Sequence, residues 1–189
     1  MNYLKKDLLP IETERLLLRL LEPEETKLML DYVTGNREHL RPWEPTRSER
    51  FYSPEFWKKE LVNRQNEFFL GQGVRLTIFF KEMPRGPIAG VCNFTEIIKG
   101  VFQACYLGYS VHHEYQGLGV MYEALNAATT FMFDTFNLHR IMANYMPRNE
   151  RSGKLLRKLD FNVEGYARDY LKINGKWEDH ILTAKVKEG

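Results

Sequence analysis

The sequence predicts an α/β fold in which helices cover both faces of a mixed central sheet. Two observations predict this fold class. Short segments with alternating apolar residues, typical of strands, are interspersed with longer segments whose apolar residues recur every three or four positions, typical of helices. In the second half of the chain the segments follow the order β-α-β-α-β-β, which is typical of a sheet with both parallel and antiparallel strands.

The first half of the chain is predicted to contain one strand and two helices, over residues 14–20, 23–33 and 54–70. Alternate leucines place one face of the strand in the core. Pro23 suits the first turn of a helix, and Gly71 suits the end of the second helix. Between the helices, residues 36–51 are predicted to be irregular, because Pro42 and Pro45 exclude a regular helix there.

The second half is predicted to contain six strands, over residues 74–80, 88–94, 104–111, 140–145, 161–173 and 176–186, and two helices, over residues 117–136 and 149–159. Asn149 suits the N-cap of the last helix, and Asp160 must adopt the left-handed conformation at its C-terminal end. Asn174 and Gly175 are the favoured pair for a type I′ turn, so the last two strands are expected to form a hairpin.

The bulk properties favour one folded domain over residues 1–189. The chain is 43% apolar and 28% charged, which excludes a disordered protein. A net charge of +2 does not indicate a DNA partner, and no apolar run approaches the roughly 20 residues of a membrane span. Residues 1–7 lack the apolar stretch of a signal peptide. We therefore expect a cytoplasmic protein in which Cys92 and Cys105 are buried free thiols and no metal is bound.

The most informative segment is Gln116-Gly117-Leu118-Gly119, which joins a predicted strand to a predicted amphipathic helix. The first amides of a helix have no partner within the helix, and its dipole favours an anion there. Glycines allow a phosphate to approach these amides closely. Alone, the two glycines favour a simple tight turn, and their position between a strand and a long amphipathic helix is what favours a phosphate site. The sequence contains neither Gly-x-Gly-x-x-Gly nor Gly-Lys-Ser/Thr, which excludes a dinucleotide-binding Rossmann turn and a P-loop.

This segment resembles the coenzyme A signature of the GNAT superfamily of N-acetyltransferases, Gln/Arg-x-x-Gly-x-Gly/Ala. Gln116 and Gly119 match the signature, and Met121 departs from it. Methionine is frequent at that position in the subfamily that acetylates the N-termini of ribosomal proteins. Further stretches resemble that subfamily, at residues 14–19, 41–45, 104–110, 138–147, 149–152, 169–170 and 177–180. The resemblance covers nearly the whole chain.

The resemblance implies a GNAT fold, in which two neighbouring parallel strands splay apart to hold coenzyme A. Main-chain groups of Tyr109, Ser110 and Val111 are then expected to pair with the pantetheine arm. The diphosphate is expected at the glycine turn, which we define as residues 116–121. Its members are Gln116, Gly117, Leu118, Gly119, Val120 and Met121. Asn149 and Ser152, at the start of the last helix, complete the expected coenzyme site.

The resemblance also implies an activity. The protein is expected to transfer the acetyl group of acetyl-CoA to the N-terminal α-amino group, of alanine type, of a ribosomal protein by direct attack in a ternary complex. The ribosome or its precursors are then further expected partners. Two alternatives remain open from the sequence: acetylation of a small amine such as a polyamine or an antibiotic, and a non-catalytic ribosome assembly factor with the same fold.

Many members of the family place a proton-donating tyrosine in the last helix. Leu156 stands there in this chain and cannot donate a proton. Ser152 lies one helical turn earlier on the same inward face, and is the candidate general acid for the leaving thiolate. The alternative is a small packed residue, and a thiol with a pKa near 8.5 can also leave unassisted.

The base has three candidates. Glu96 is the first, because it follows the predicted strand 88–94, where a loop would enter the cleft; Asp169 and His180 follow. Each also has a structural interpretation, as an exposed loop residue, a strand salt bridge and a hydrogen-bonded histidine. An α-amino group has a pKa of about 7.7–8.0, so an N-terminal acceptor demands little of a base.

The acceptor is expected near Trp43 and Glu44, in a segment that borders the acceptor groove in this family. Trp43 is a candidate groove wall, or alternatively a core residue, and Glu44 is a candidate anchor for an α-ammonium group. His112 and His113 could suggest a metal site, but neighbouring strand positions point to opposite faces, so we expect a solvated loop there instead.

Overall fold

The computed structural model describes residues 8–187, so the expectation about a signal peptide, which rests on residues 1–7, lies outside the described part. The strands are β1 (Ile11–Glu12), β2 (Leu16–Arg19), β3 (Val74–Phe80), β4 (Gly90–Ile98), β5 (Ala104–Val111), β6 (Arg140–Met142), β7 (Asn162–Ile173) and β8 (Lys176–Val186). The α-helices are α1 (Thr26–Gly35), α2 (Arg37–Leu40), α3 (Pro54–Phe69), α4 (Val120–Phe136) and α5 (Glu150–Lys158). Short 3₁₀ turns cover Pro23–Glu25, Arg41–Trp43, Glu49–Tyr52 and His113–Tyr115.

The eight strands form one mixed sheet in the order β1-β2-β3-β4-β5-β6-β8-β7. Every neighbouring pair is antiparallel except β5 and β6, which run parallel. Parallel strands require a crossover connection, and α4 provides it. The expectations of a mixed sheet and of two neighbouring parallel strands are confirmed.

Helices pack against both faces of the sheet, as predicted. One core lies under α4 and α5 and includes Leu76, Phe94, Leu125 and Leu156. A second core lies under α1 and α3 on the opposite face and includes Met29, Tyr32, Trp57, Phe79 and Val91. Alternating residues of β3 and β4 enter the two cores in turn, because neighbouring side chains of a strand point to opposite faces.

Several local predictions are confirmed. Asn174 and Gly175 both have positive φ, of 44° and 81°, as a type I′ turn requires. Asp160 has a φ of 64°, so it holds the left-handed position that ends α5. Cys92 and Cys105 are free and buried, and burial raises the pKa of each thiol to about 12.

Other predicted boundaries are wrong, for local reasons. Strand β4 runs to Ile98 and not to residue 94, because a bulge between Thr95 and Ile98 lets the strand continue. Strand β6 ends at Met142, since the chain beyond it turns towards β8. Helix α4 begins at Val120 and not at residue 117, because the two preceding glycines have positive φ. A short α2 and two 3₁₀ turns occupy the segment predicted to be irregular.

Two missed features complete the sheet and the first helix. Strand β1 is only two residues long and pairs with β2, so it carries too little sequence for a periodic signal. The helix predicted from Pro23 begins as a 3₁₀ turn, and α1 proper starts at Thr26. No helix in residues 8–187 is long and apolar enough to cross a membrane.

Candidate functional site

The parallel strands β5 and β6 separate after Tyr106, which pairs with Met142. Beyond this point the amides of Ala143 and Tyr145 donate to carbonyls of β8, at 3.0 and 3.1 Å, so this segment follows β8 and leaves β5. The second half of β5, residues 107–111, keeps β4 as its neighbour on the other side. We call the resulting gap the strand wedge. Tyr109, Ser110 and Val111, the predicted pantetheine contacts, lie along its edge.

The glycine turn follows the end of β5, beside the strand wedge. Gly117 and Gly119 have φ of 75° and 77°, which a side chain would strain. Among residues 8–187, no protein group accepts a hydrogen bond from the amides of residues 117–122. Leu118 is 54% exposed, because it precedes the first turn of α4. The turn therefore offers main-chain donors of the kind that bind a diphosphate.

Arg15, which immediately precedes β2, contacts this turn. Its two terminal guanidinium nitrogens, Nη1 and Nη2, each lie 3.2 Å from the carbonyl oxygen of Leu118, and its Nε donates to Glu123 at 2.8 Å. The carbonyl and the N–H of a trans peptide point in opposite directions. The N–H of Gly119 therefore points away from Arg15, towards the open side of the turn.

The start of α5 faces the glycine turn. Asn149 caps this helix as predicted, because its Oδ1 accepts from the amide of Ser152 at 3.2 Å. The side chain of Gln116 donates to the carbonyl of His113 at 3.1 Å, and its oxygen pairs with the guanidinium of Arg151. Gln116 therefore joins the glycine turn to α5 across the mouth of the strand wedge.

Ser152 points inward, as predicted, and meets Tyr109 of β5. Its Oγ lies 2.7 Å from the phenol oxygen of Tyr109. Burial raises the pKa of Tyr109 to about 12, so this phenol is protonated at neutral pH. The next residue, Gly153, packs against Tyr145, and an added Cβ would lie only 2.7 Å from that ring. These contacts hold the Ser152 hydroxyl at the wedge.

A cavity of about 320 Å³ lies on the other face of the sheet. We call it the α1–α3 cavity, because these helices, the loop after α2, strands β3 to β5 and the hairpin turn at Asn174 line it. Asn93 of β4 lies opposite Gly108 of β5, on the face that the cavity occupies. Gly108 is exposed, and a Cβ there would meet nothing within 4 Å. The cavity side of β5 is therefore open at Gly108, beside the strand wedge.

Two carboxylates line the α1–α3 cavity; Glu60 pairs with Arg64 at 2.9 Å, and the other is Glu44, the predicted anchor. Burial raises the pKa of the Glu44 carboxyl group, and Arg47, 3.6 Å away, opposes that shift. Near it the phenol of Tyr32 lies 2.9 Å from Ser110 Oγ. Trp43, the other predicted acceptor residue, is half-buried and is not among the residues that line this cavity. The guanidinium of Arg148 lies over its ring, 5.0 Å from the ring centroid.

Glu96 does not lie in a loop as predicted, but inside β4 at its bulge, with a φ of 51°. Its side chain is exposed. The pKa of Tyr170 is raised, first by burial, then by Tyr106, and to a smaller extent by the charge of Glu96. Glu96 therefore lies near these two phenols, where the β5–β6 pairing ends. Asn144, which follows β6, donates to Tyr170 at 3.2 Å.

The other candidates have structural partners. The amide of Asp169 donates to Asp179 at 2.8 Å, its φ is 47°, and its side chain is exposed. His180 is buried, with Nδ1 2.9 Å from the carbonyl oxygen of Glu178. The rings of His112 and His113 stack at 4.5 Å, against prediction, because the chain leaves the extended conformation at a 3₁₀ turn. No cluster of metal-ligating side chains is present within the described ranges.

Sequence reasoning missed several residues that shape the site. Asn93 interrupts the apolar segment Val91-Cys92-Asn93-Phe94, and that polar residue was a usable signal. Tyr32 and Trp57 gave none, because an aromatic residue on the apolar face of a helix is expected in any core. The role of Arg15 depends on a contact with a residue more than 100 positions away.

Comparisons with known proteins agree with this geometry. Residues 15–162 match the family model of the acetyltransferase (GNAT) domain. The chain is 47% identical over 174 residues to the [ribosomal protein uS5]-alanine N-acetyltransferase of Escherichia coli (strain K12), covering 92% of this chain and 89% of that protein.

Solved structures show the same fold. The ribosomal-protein-S5-alanine acetyltransferase of Vibrio fischeri has a TM-score of 0.90 and 40% identity, covering 95% of this chain and 97% of that one. RimJ of Mycobacterium smegmatis, solved in complex with CoA-disulfide, has a TM-score of 0.84 and 25% identity, covering 90% of this chain and 81% of that one.

Proposed function

The chain belongs to the GNAT family of acetyltransferases, and from that premise we propose that it uses acetyl-CoA to acetylate the N-terminal α-amino group, of alanine type, of a ribosomal protein. One observation carries the proposal: the similarity to the E. coli enzyme spans 92% of the chain, and so includes both the strand wedge and the α1–α3 cavity. The protein is accordingly an N-acetyltransferase.

The residues around the strand wedge fit coenzyme A. The unpaired amides of the glycine turn suit its diphosphate, and the free edge of β5 at Tyr109, Ser110 and Val111 suits the amide groups of its pantetheine arm. Val120 and Met121 supply the last main-chain amides of the glycine turn. Gln116 closes the mouth of the wedge through its contact with Arg151. Asn149 and Ser152 border the same gap from α5.

Acetyl-CoA supplies the acetyl group as a thioester, and this chain must bind an amine and protonate the leaving thiolate. Ser152 is the proposed proton donor, because its hydroxyl lies at the wedge. The phenol of Tyr109 can donate a hydrogen bond to Ser152, since its raised pKa keeps the phenol protonated. Glu44 is the proposed anchor for the α-ammonium group, and Trp43 supports the loop that carries it.

A strong base is not needed for an α-amino acceptor, whose pKa is about 7.7–8.0. Glu96 is the first proposed base, acting through water, because its charge acts on the phenol of Tyr170 beside the wedge. Asp169 is the second. Its exposure and the hydrogen bond between its own amide and Asp179 support a structural role more strongly.

The proposal extends to domain organisation and setting. Residues 1–189 form one N-acetyltransferase domain, which is supported by a single sheet that joins β1 to β8. The site of action is the cytoplasm, where ribosomal proteins are made, and the ribosome or its precursors are a further proposed partner.

The direct test is incubation of the protein and acetyl-CoA with total ribosomal proteins, followed by mass spectrometry of their N-termini. We expect one ribosomal protein to gain one acetyl group at an N-terminal alanine. Parallel incubations with spermidine and with an aminoglycoside test the small-amine alternative. No modified N-terminus together with an acetylated small amine would reject the proposed acceptor.

Calorimetry with acetyl-CoA tests the non-catalytic alternative. A micromolar affinity without any acetylated product would indicate an assembly factor that has kept the coenzyme site. An absence of binding heat would reject the coenzyme assignment itself.

A further inference from the structure

Two side chains that line the α1–α3 cavity each carry a buried polar atom with no hydrogen-bond partner within residues 8–187. These atoms are Oδ1 of Asn93, which can only accept, and Nε1 of Trp57, which can only donate. Buried polar groups in folded proteins are nearly always paired, because an unpaired one loses its hydration without compensation. One unpaired acceptor and one unpaired donor on the same cavity indicate a ligand that carries the complementary pair.

Asn93 lies opposite the open position of β5, beside the strand wedge. It is the cross-strand partner of Gly108, and side chains of directly opposed residues emerge about 5 Å apart on the same face. Gly108 leaves that face of β5 open next to the strand wedge. An amine held by Oδ1 of Asn93 would therefore lie beside the gap where the thioester is proposed to sit.

Trp57 lies on α3, on the helical side of the cavity, and its side chain is only 2% exposed. Its indole N–H can be satisfied only by an acceptor atom, such as a carbonyl oxygen. The N-terminus of a peptide carries both an amine and, on the same residue, a carbonyl. A polyamine carries amines but no carbonyl, so it would leave the indole N–H unpaired.

We propose that Asn93 and Trp57 bind the first residues of the acceptor polypeptide. Oδ1 of Asn93 accepts a hydrogen bond from the α-amino group, while Nε1 of Trp57 donates to a main-chain carbonyl. The pair selects a peptide amino terminus over a polyamine. This inference rests on the proposed function and names the chemical features of the acceptor that the site recognises.

Three substitutions test the pair: Asn93→Leu, Asn93→Asp and Trp57→Phe. Leucine keeps the shape of asparagine without the acceptor, and phenylalanine keeps a ring without the donor. With a synthetic peptide that carries the first residues of ribosomal protein uS5, we expect each of these two variants to raise the KM for the peptide about tenfold. The KM for acetyl-CoA should not change. Asn93→Asp keeps an acceptor and should stay within about threefold of the wild-type KM for the peptide.

Matched controls separate the cavity from general effects of the same exchanges. Asn63→Leu on the exposed side of α3 and Trp177→Phe, whose side chain is 61% exposed, should leave both KM values unchanged. Thermal melting and the KM for acetyl-CoA report whether each variant folds. If Asn93→Leu does not fold, Asn93→Ala removes the same acceptor with a smaller side chain.

The outcomes separate this inference from the proposed function. A wild-type protein that acetylates the peptide, with a KM that neither Asn93→Leu nor Trp57→Phe changes, overturns the inference and leaves the proposed function intact. A loss caused by Asn93→Asp as large as that caused by Asn93→Leu also overturns it, because the amide would then act as a donor. Acetylation of spermidine in preference to the peptide rejects both.

Discussion

The glycine turn and the α1–α3 cavity differ in how the chain builds them. The turn is six consecutive residues, 116–121, and it works through main-chain amides. The cavity collects side chains from positions 29 to 174, on three helices, three strands and two loops. A main-chain site depends on backbone conformation and tolerates most side chains. A side-chain site can change its ligand through single substitutions. We therefore expect single substitutions to alter acceptor choice more readily than coenzyme binding.

The largest expected effect comes from Gly119→Glu, which breaks the turn. The residue has a φ of 77°, and a glutamate there adds strain and places a negative charge beside the diphosphate. Loss of two charge-assisted hydrogen bonds of about 2 kcal/mol each predicts affinity for acetyl-CoA about 1,000-fold weaker, measured by calorimetry. Gly100→Glu is the control, because Gly100 has nearly the same φ, 78°, in the connection between β4 and β5. Equal losses in both variants would contradict the assignment.

The second effect concerns the point where the two regions meet. Ser152→Ala removes the proposed proton donor and should lower kcat about 100-fold while the KM for acetyl-CoA stays unchanged. Tyr109→Phe removes only the partner of that hydroxyl, so the fall in kcat should be several-fold smaller than the fall in Ser152→Ala. Steady-state kinetics with a peptide acceptor measures both. A normal kcat in Ser152→Ala would show that the thiolate leaves unassisted.

A smaller effect, confined to the cavity, is expected from Glu44→Gln. Removal of the carboxylate should raise the KM for the peptide about tenfold without altering coenzyme affinity. Burial raises the pKa of Glu44, so its anionic form, which binds an ammonium, is lost as the pH falls through a value above 4.5. The wild-type KM should therefore rise towards acidic pH, and Glu44→Gln should not show that rise. An identical pH dependence in the two proteins would exclude Glu44 as the anchor.

The smallest effect lies outside both regions, at the end of α5. Asp160 adopts a left-handed conformation, which favours glycine, and its carboxylate is 3.9 Å from Lys185. Asp160→Gly should stabilise the protein by up to about 1 kcal/mol, which raises the Tm by roughly 2–4 °C. Asp160→Ala, which removes the same charge without the conformational gain, should not stabilise it. The kinetics of both variants should match the wild type, since Asp160 contacts neither region.

Features set by neighbouring residues in the sequence were predicted correctly, and features set by contacts between distant residues were not. The caps and turns at Asn149, Asp160 and Asn174 were predicted correctly, because each depends on its own few residues. Glu96 was placed in a loop, because a strand bulge has no composition of its own. The contact between Ser152 and Tyr109 joins two elements whose register the sequence does not contain. Asn93 and Trp57 acquired significance only when the fold placed them around one cavity.

Apolar periodicity alone predicted the order of elements and the mixed sheet, and the glycines at positions 117 and 119 predicted the turn that identifies the family. The tertiary structure decided where β5 and β6 separate, which side chains enclose the α1–α3 cavity, and which polar atoms remain unpaired in it. The physical reason is that these features depend on contacts between residues far apart in the chain. Such contacts form only when the sheet and its helices pack together.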